Sequence, residues 1–234
     1  MTDSPVALVT GSSRGVGRGI AEYFINHGYR VVGCSRGPSS IQAACYEHSI
    51  VDVGNDDQVR KWMIGITNSH GRLDVAVNNA GVGTAALALT TTNDLVENTM
   101  RTNYLGTFSV SREAAKVMIK QKYGRIINIS SIASELHMPG SAAYAASKSA
   151  VVEFSKVLAM ELGPIGITCN VLSLPLMDVG MSGELNEEAI ERYERRLAIG
   201  RRATINDVCN VVSFLASPDS GLVTGQVIQI GFVP

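Results

Sequence analysis

The 234-residue sequence predicts an α/β fold, a doubly wound parallel sheet held between two layers of helices, on three observations. Short apolar runs of strand length recur along the chain, segments of helical periodicity fill most of the gaps, and a glycine-rich turn joins the first run to the first helical segment. Continuous apolar runs suit strands covered on both faces. Right-handed strand–helix–strand units built from them give one parallel sheet in three layers, α/β/α.

The first strand is expected at residues 6–9 (Val-Ala-Leu-Val), ended by Thr10-Gly11, and the first helix carries its apolar stripe through Ile20, Ala21, Phe24 and Ile25 to Gly28. Further strands are expected at residues 30–33, 49–53, 73–78, 125–129, 167–172 and 226–230, and a long helix over residues 143–162. No repeat, low-complexity tract or linker divides the chain, so one domain over residues 1–234 is expected, with the charged segment 180–202 as a substrate lid.

Composition narrows the class. A hydrophobic share of 45% with 18% charged residues describes a globular protein. A net charge of −1 without blocks of like charge argues against nucleic acid as a partner. The four cysteines, Cys34, Cys45, Cys169 and Cys209, lie far apart without metal-site spacing, and are expected as buried, reduced thiols with no metal. No apolar run reaches the roughly 18 to 20 residues of a membrane span, and no basic-then-apolar leader begins the sequence, so the expected compartment is the cytoplasm.

The turn after the first strand reads Thr10-Gly11-Ser12-Ser13-Arg14-Gly15-Val16-Gly17. Glycines there allow a tight turn and close backbone approach, and the free N–H groups of the following helix favour an anion, so Gly11, Ser12, Ser13, Arg14, Gly15, Val16 and Gly17 form a candidate pyrophosphate site. The spacing Gly-x-x-x-Gly-x-Gly resembles the short-chain dehydrogenase/reductase family. So do Asn78-Asn79-Ala80-Gly81 closing the fourth strand, Asn103 in the next helix, Ser131 after the fifth strand, and Tyr144-x-x-x-Lys148 beginning thirteen positions after that serine. The resemblance covers nearly the whole chain and implies a Rossmann-type fold binding a nicotinamide dinucleotide. It also implies Asp52 and Val53 beside the adenine and Asn79 at the adenosine ribose.

An acidic residue at the end of the second strand usually selects NAD in that family. Here Ser35-Arg36 stands in its place, and Arg36, with Arg14 in the turn, can pair with a 2′-phosphate, so NADPH is the expected cofactor. Reduction of a carbonyl needs an acid at its oxygen. Tyr144 and Lys148, four residues apart on one helix, share a face, and the Lys148 ammonium is expected to lower the Tyr144 pKa. By resemblance Lys148 also holds the nicotinamide ribose, Ser131 donates to the substrate oxygen, and Asn103 organises a proton relay.

The sequence departs from the family where Pro-Gly and a threonine usually follow the sixth strand: Ser173-Leu174-Pro175-Leu176 and Val179 stand there. The usual C-terminal Asp-Gly-Gly is replaced by Gly231-Phe232-Val233-Pro234, a change expected to concern subunit packing. The substrate pocket is expected from residues 84–89, 135–141 and 179–202.

The expected activity is NADPH-dependent carbonyl reduction. Residues 10–17, 120–125, 144–148 and 214–217 resemble the 3-oxoacyl-carrier-protein reductases, which makes 3-oxoacyl thioesters of fatty acid or polyketide-type biosynthesis the leading substrates and acyl carrier protein a partner. A small-ketone reductase, an alcohol or sugar dehydrogenase, and a catalytically weak assembly subunit are the alternatives. Carriers are acidic, so Lys120, Lys122 and Arg125 are expected to dock one, or else the lid arginines Arg195, Arg196, Arg201 and Arg202, since Ile165 stands where relatives carry a second arginine. A homo-oligomer, by resemblance a tetramer, is expected to pack through Ala145, Ala146, Ala150 and Ala159 beside Val151, Phe154 and Leu158.

Overall fold

The structure, a computed structural model, describes residues 4–83, 85–177, 179 and 187–234. Seven parallel strands form one sheet: β1 (Val6–Thr10), β2 (Arg30–Ser35), β3 (Tyr46–Ile50), β4 (Val75–Asn78), β5 (Gly124–Ser131), β6 (Ile167–Leu174) and β7 (Val227–Gln229), in the order β3-β2-β1-β4-β5-β6-β7. The period of two is visible within β1, where Val6 and Leu8 pack on one face and Ala7 and Val9 on the other. The first face is covered by α2 (Asp56–His70), α4 (Gly106–Gln121) and α6 (Ala142–Leu162), the second by α1 (Gly15–Asn26) and α8 (Ile205–Ala216). This is the three-layer arrangement expected. Shorter α-helices α3 (Asn93–Met100), α5 (Ala133–Leu136) and α7 (Glu187–Glu194) lie between these elements.

Local signals account for the boundaries. Asn55 caps α2 by accepting from the Gln58 N–H, and left-handed Gly71 ends it. Thr204 and Asp207 form a capping box at the start of α8. Arg14, at the start of α1, makes no side-chain cap.

Three expectations are corrected. The third strand lies at Tyr46–Ile50, not at residues 49–53, because at the edge of the sheet it pairs with β2 alone and tolerates polar side chains; the apolar Val51 and Val53 instead pack just beyond its end. Among the cysteines, Cys34, Cys169 and Cys209 are buried but Cys45 is only half-buried; burial pushes the Cys34 and Cys169 thiols up to about 12. Within the proposed oligomer face, Val151, Leu158 and Ala159 are buried in the chain's own interior, and Val157 and Met160 are large apolar side chains exposed on that helix.

The carrier-docking expectation also changes. Arg125 is 3% exposed: it stacks over the Tyr123 ring at 4.5 Å, and its guanidinium donates to the carbonyls of Ser217, Pro218 and Gly124. Lys120 and Lys122 are exposed, but they precede β5, whose other end carries Ser131. At 3.3 Å per residue the two ends stand roughly 20 Å apart, so within one chain these lysines face away from the site.

Candidate active site

Strand β1 lies between β2 and β4, so the chain leaves the sheet in opposite senses on either side of it and opens a crevice at the carboxyl ends of the strands. A cleft of about 610 Å³ occupies that crevice, within the usual range for ligand sites.

One end of the cleft is the turn after β1. Gly11 and Gly15 hold positive φ angles of 69° and 56°, conformations that side chains resist. The Thr10 hydroxyl accepts from the N–H groups of Asn79 and Ala80, both at 3.0 Å, tying the turn to the end of β4. A Cβ on Gly17 would stand 2.3 Å from the Gly11 carbonyl oxygen, so turn and helix approach as closely as backbones can. Because α1 has no side-chain cap and no acid in its first turn, its opening N–H groups and positive dipole end are available to an anion. That uncapped, glycine-built start fits a dinucleotide pyrophosphate.

Gly11, Ser13, Arg14, Gly15, Val16 and Gly17 line the cleft. Ser12 does not: its hydroxyl is buried against Tyr46, 2.9 Å away, and its N–H donates to the Cys34 carbonyl, so its part is to hold the turn onto β2 and β3. Arg36, Asp52, Val53 and Asn79 line the wall where the resemblance puts the adenosine. Arg36 and Arg14 are exposed, and Asn79 Nδ2 donates to the Thr10 carbonyl. Sequence reasoning missed what supports this wall. Tyr46 Oη lies 2.7 Å from His48 Nδ1, and His48 Nε2 lies 2.9 Å from the Gly37 carbonyl, which also accepts from the Ser35 hydroxyl at 2.7 Å. The segment carrying Arg36 is thereby pinned on both sides.

At the other end, Ser131 ends β5 while Tyr144 and Lys148 project from one face of α6, and all three line the cleft. The Ser131 hydroxyl lies near enough to the Tyr144 phenol to favour its ionised form. Lys148 is buried, its Nζ donating to the Ile129 carbonyl at 2.9 Å and lying 5.8 Å from the centre of the Tyr144 ring.

The expected lowering of the Tyr144 pKa is not found. Burial, the largest influence, raises it, and the nearby Ser131 hydroxyl only partly opposes that rise. Burial also brings the Lys148 ammonium down to about 8. The lysine is committed to the Ile129 carbonyl and is itself desolvated, so it does not convert Tyr144 into a phenolate; the phenol stays protonated, the state a proton donor needs.

Asn103 stands one layer back. It occupies a π-helical segment, Arg101–Leu105, between α3 and α4, rather than a regular helix. Its Oδ1 accepts from the Val82 N–H at 2.8 Å, and its Nδ2 donates to the Val82 carbonyl and the Ser147 hydroxyl. It is fully buried and holds the segment after Asn79-Ala80-Gly81 against α6.

The substrate end of the cleft is lined by Ala85, Met138, Pro139, Gly140 and Ser141, by Leu174, Pro175, Leu176 and Met177 after β6, and by Val179 and Tyr193. Of the expected pocket, Thr84 and residues 180–186 lie outside the described residues. Tyr193, on α7, was not anticipated: it stands alone in a charged segment, and nothing in its spacing marks it. The C-terminal expectation also needs correcting. Phe232 packs within its own chain against the cluster of Ile132, Leu136 and Tyr193, and the Gly231 carbonyl accepts from the Ala198 N–H, so this segment backs the site.

A nucleotide turn facing a serine, tyrosine and lysine across one cleft defines a dinucleotide-dependent oxidoreductase. The chain belongs to the short-chain dehydrogenase/reductase family: a family model described as enoyl-(acyl carrier protein) reductase matches residues 11–231. It is 33% identical to the 3-oxoacyl-[acyl-carrier-protein] reductase FabG of Haemophilus influenzae, over 96% of each chain. Its fold superposes on a variant of actinorhodin polyketide ketoreductase with NADPH (TM-score 0.89, 29% identity, 97% of this chain and 96% of that one). It also matches a putative gluconate dehydrogenase from Agrobacterium tumefaciens (TM-score 0.92, 28% identity, 97% and 94%).

Proposed function

We propose that this protein is a cytoplasmic NADPH-dependent carbonyl reductase whose substrate is a 3-oxoacyl chain carried as a thioester on acyl carrier protein. The observation that carries the reading is the convergence of Ser131, Tyr144 and Lys148 at one end of a cleft whose other end is the open turn at Gly11 to Gly17 beside Arg14 and Arg36.

The residues divide the work as follows. Arg36 and Arg14 pair with the 2′-phosphate, and the N–H groups opening α1 hold the pyrophosphate. When bound, the reduced nicotinamide supplies hydride to the carbonyl carbon. Ser131 and Tyr144 hydroxyls donate to the carbonyl oxygen, and the Tyr144 proton passes to that oxygen as negative charge develops there. The Lys148 ammonium then faces the phenolate left behind and stabilises it until solvent returns the proton. Met138, Pro139, Leu174, Pro175, Leu176 and Met177 make the pocket wall largely apolar, which suits an acyl chain better than a polyhydroxylated sugar acid.

Carrier recognition rests on the lid. Arg201 pairs with Asp207 at 2.7 Å, Arg202 with Glu194 at 2.5 Å and Arg195 with Glu191 at 3.6 Å, whereas exposed Arg196 has no acidic partner among the described residues. Arg196 is therefore the cation best placed to meet an acidic carrier. As in the family generally, we take the enzyme to be a homotetramer, with Val157 and Met160 on α6 in a subunit contact; light scattering giving a mass near 25 kDa would refute that.

The test follows NADPH absorbance with acetoacetyl-carrier protein and with a short thioester mimic, at low and high salt. The carrier-bound substrate should give the higher kcat/KM and lose that advantage at high salt. Equal, salt-independent rates would reject carrier recognition and leave a reductase of free ketones.

A further inference from the structure

A continuous chain of hydrogen bonds runs behind the adenosine wall, from the turn after β1 to the segment that carries Arg36. Ser12 Oγ lies 2.9 Å from Tyr46 Oη, and Tyr46 Oη lies 2.7 Å from His48 Nδ1. His48 Nε2 lies 2.9 Å from the Gly37 carbonyl oxygen and 3.1 Å from Ser35 Oγ. Tyr46 and His48 stand two apart on β3 and so share a face. Gly33, paired with His48 across the β2–β3 ladder, leaves the chain room to pass: a Cβ there would stand 2.4 Å from Tyr46 Oη and 2.3 Å from Ser12 Oγ.

Proton accounting gives this chain a direction. A carbonyl only accepts, so His48 Nε2 carries a proton and donates to Gly37; in the neutral imidazole Nδ1 is then the acceptor for the Tyr46 phenol. With its own proton so used, the phenol oxygen accepts from Ser12. His48 thus clasps the residues on both sides of Arg36, through Ser35 Oγ and the Gly37 carbonyl. The Arg36 side chain is exposed and makes no hydrogen bond or ion pair among the described residues, so its place at the cleft is set by its backbone. Holding that backbone still lowers the ordering cost of bringing a long, flexible cation to an anion.

We propose that His48 is a specificity-determining positioning residue: by holding Ser35 and Gly37 it preorganises Arg36 for a 2′-phosphate, and the preference for NADPH over NADH depends on it. Tyr46 fixes the imidazole in the orientation this requires. The inference deepens the proposed function and rests on its assignment of Arg36 to the 2′-phosphate.

The test is fluorescence titration with NADPH and with NADH, which differ only in the 2′-phosphate and need no substrate. His48→Phe keeps an aromatic ring and removes the bonds at both nitrogens. It should weaken NADPH binding roughly tenfold, the effect of losing one hydrogen bond, and NADH binding by less than about twofold. Equal weakening of the two would mean a merely structural role, and an unchanged affinity for NADPH would equally overturn the proposal. His48→Gln, whose amide can still donate to the Gly37 carbonyl, should bind NADPH within about threefold of the unmodified protein; a loss as large as that of His48→Phe would overturn the assignment of the donor.

Should His48→Phe fail to fold, Tyr46→Phe decides. It deletes only the phenol and leaves Ser12 the Cys34 carbonyl, 3.5 Å away, as acceptor, so it should weaken NADPH roughly threefold and NADH hardly at all; no effect, or an equal effect on both, would overturn the proposal. In an Arg36→Ala background, His48→Phe should change NADPH affinity by less than about twofold, since no guanidinium remains to place, and an undiminished loss there would overturn it too. If Arg36→Ala alone left NADPH binding unchanged, the assignment of Arg36 would fall and this proposal with it. If Arg36→Ala weakened NADPH binding while His48→Phe did not, only the role of His48 would be rejected.

Discussion

Replacing Lys148 by methionine should remove activity and yet stabilise the protein. The lysine is 4% exposed, and burial alone brings its ammonium from 10.5 down to about 8. A shift of that size corresponds to a charging cost of about 3 kcal/mol in the folded state, at about 1.4 kcal/mol per pH unit. Methionine fills a similar volume without charge, but it forfeits the bond to the Ile129 carbonyl, a loss of about 1 to 2 kcal/mol. The net gain near neutral pH is about 1 to 2 kcal/mol, or about 2 to 8 °C in Tm for a chain of this length.

The sign depends on pH in a defined way. Below pH 8 the lysine is charged in both folded and unfolded states, and its full cost is present. Between about 8 and 10.5 the unfolded chain binds the proton and the folded one does not, so the stability of the unmodified protein rises with pH relative to the variant. The assay is thermal and urea unfolding of both proteins without added nucleotide, at pH 7 and pH 10. The advantage of Lys148→Met should shrink or reverse at the higher pH. A variant that is less stable at pH 7, or an advantage that ignores pH, would refute the reasoning.

Tyr144→Phe should leave folding and nucleotide binding intact while kcat falls below about a tenth of its value, measured by NADPH oxidation, because a single donor is deleted and little apolar surface changes. Arg36→Ala should remove most of a preference for NADPH over NADH expected to be at least about tenfold in kcat/KM, a ratio that about 1.4 kcal/mol of phosphate pairing supplies; equal use of both nucleotides by the unmodified protein would contradict it. Gly17→Ala should abolish nucleotide binding, followed by fluorescence titration, since the added carbon would stand 2.3 Å from both the Gly11 oxygen and Asn79 Nδ2.

What the sequence revealed and what it hid follow from the range of the interactions involved. The central strands were legible because burial on both faces forces continuous apolar runs, as in β1 and in Val75–Val77 of β4. Tyr144 and Lys148 were legible because a helix turns a spacing of four into a shared face. β3 was misplaced because an edge strand is under no such compulsion. Arg125 looked like surface charge, since no local pattern tells that its partners are carbonyls more than ninety residues further along the chain. Tyr193 and Phe232 were invisible for the same reason: they meet only when α7 and the segment after the last strand come together. The ionisation of Tyr144 was misjudged because spacing shows that Lys148 is near but not that it is desolvated and already bonded elsewhere.

The hydrogen bonds that join Thr10 to Asn79 and Ala80 have a consequence for how the protein is made. They span 69 and 70 positions of sequence, across the contact between the first and fourth strands. A chain that has formed only its first strand–helix–strand unit therefore holds the glycines of the turn but not the frame that sets their angles. Long-range closure of this kind is slow compared with helix formation. In refolding, the capacity to bind nucleotide should return late, well behind helical circular dichroism, and would serve as a clock for the docking of the two halves of the sheet.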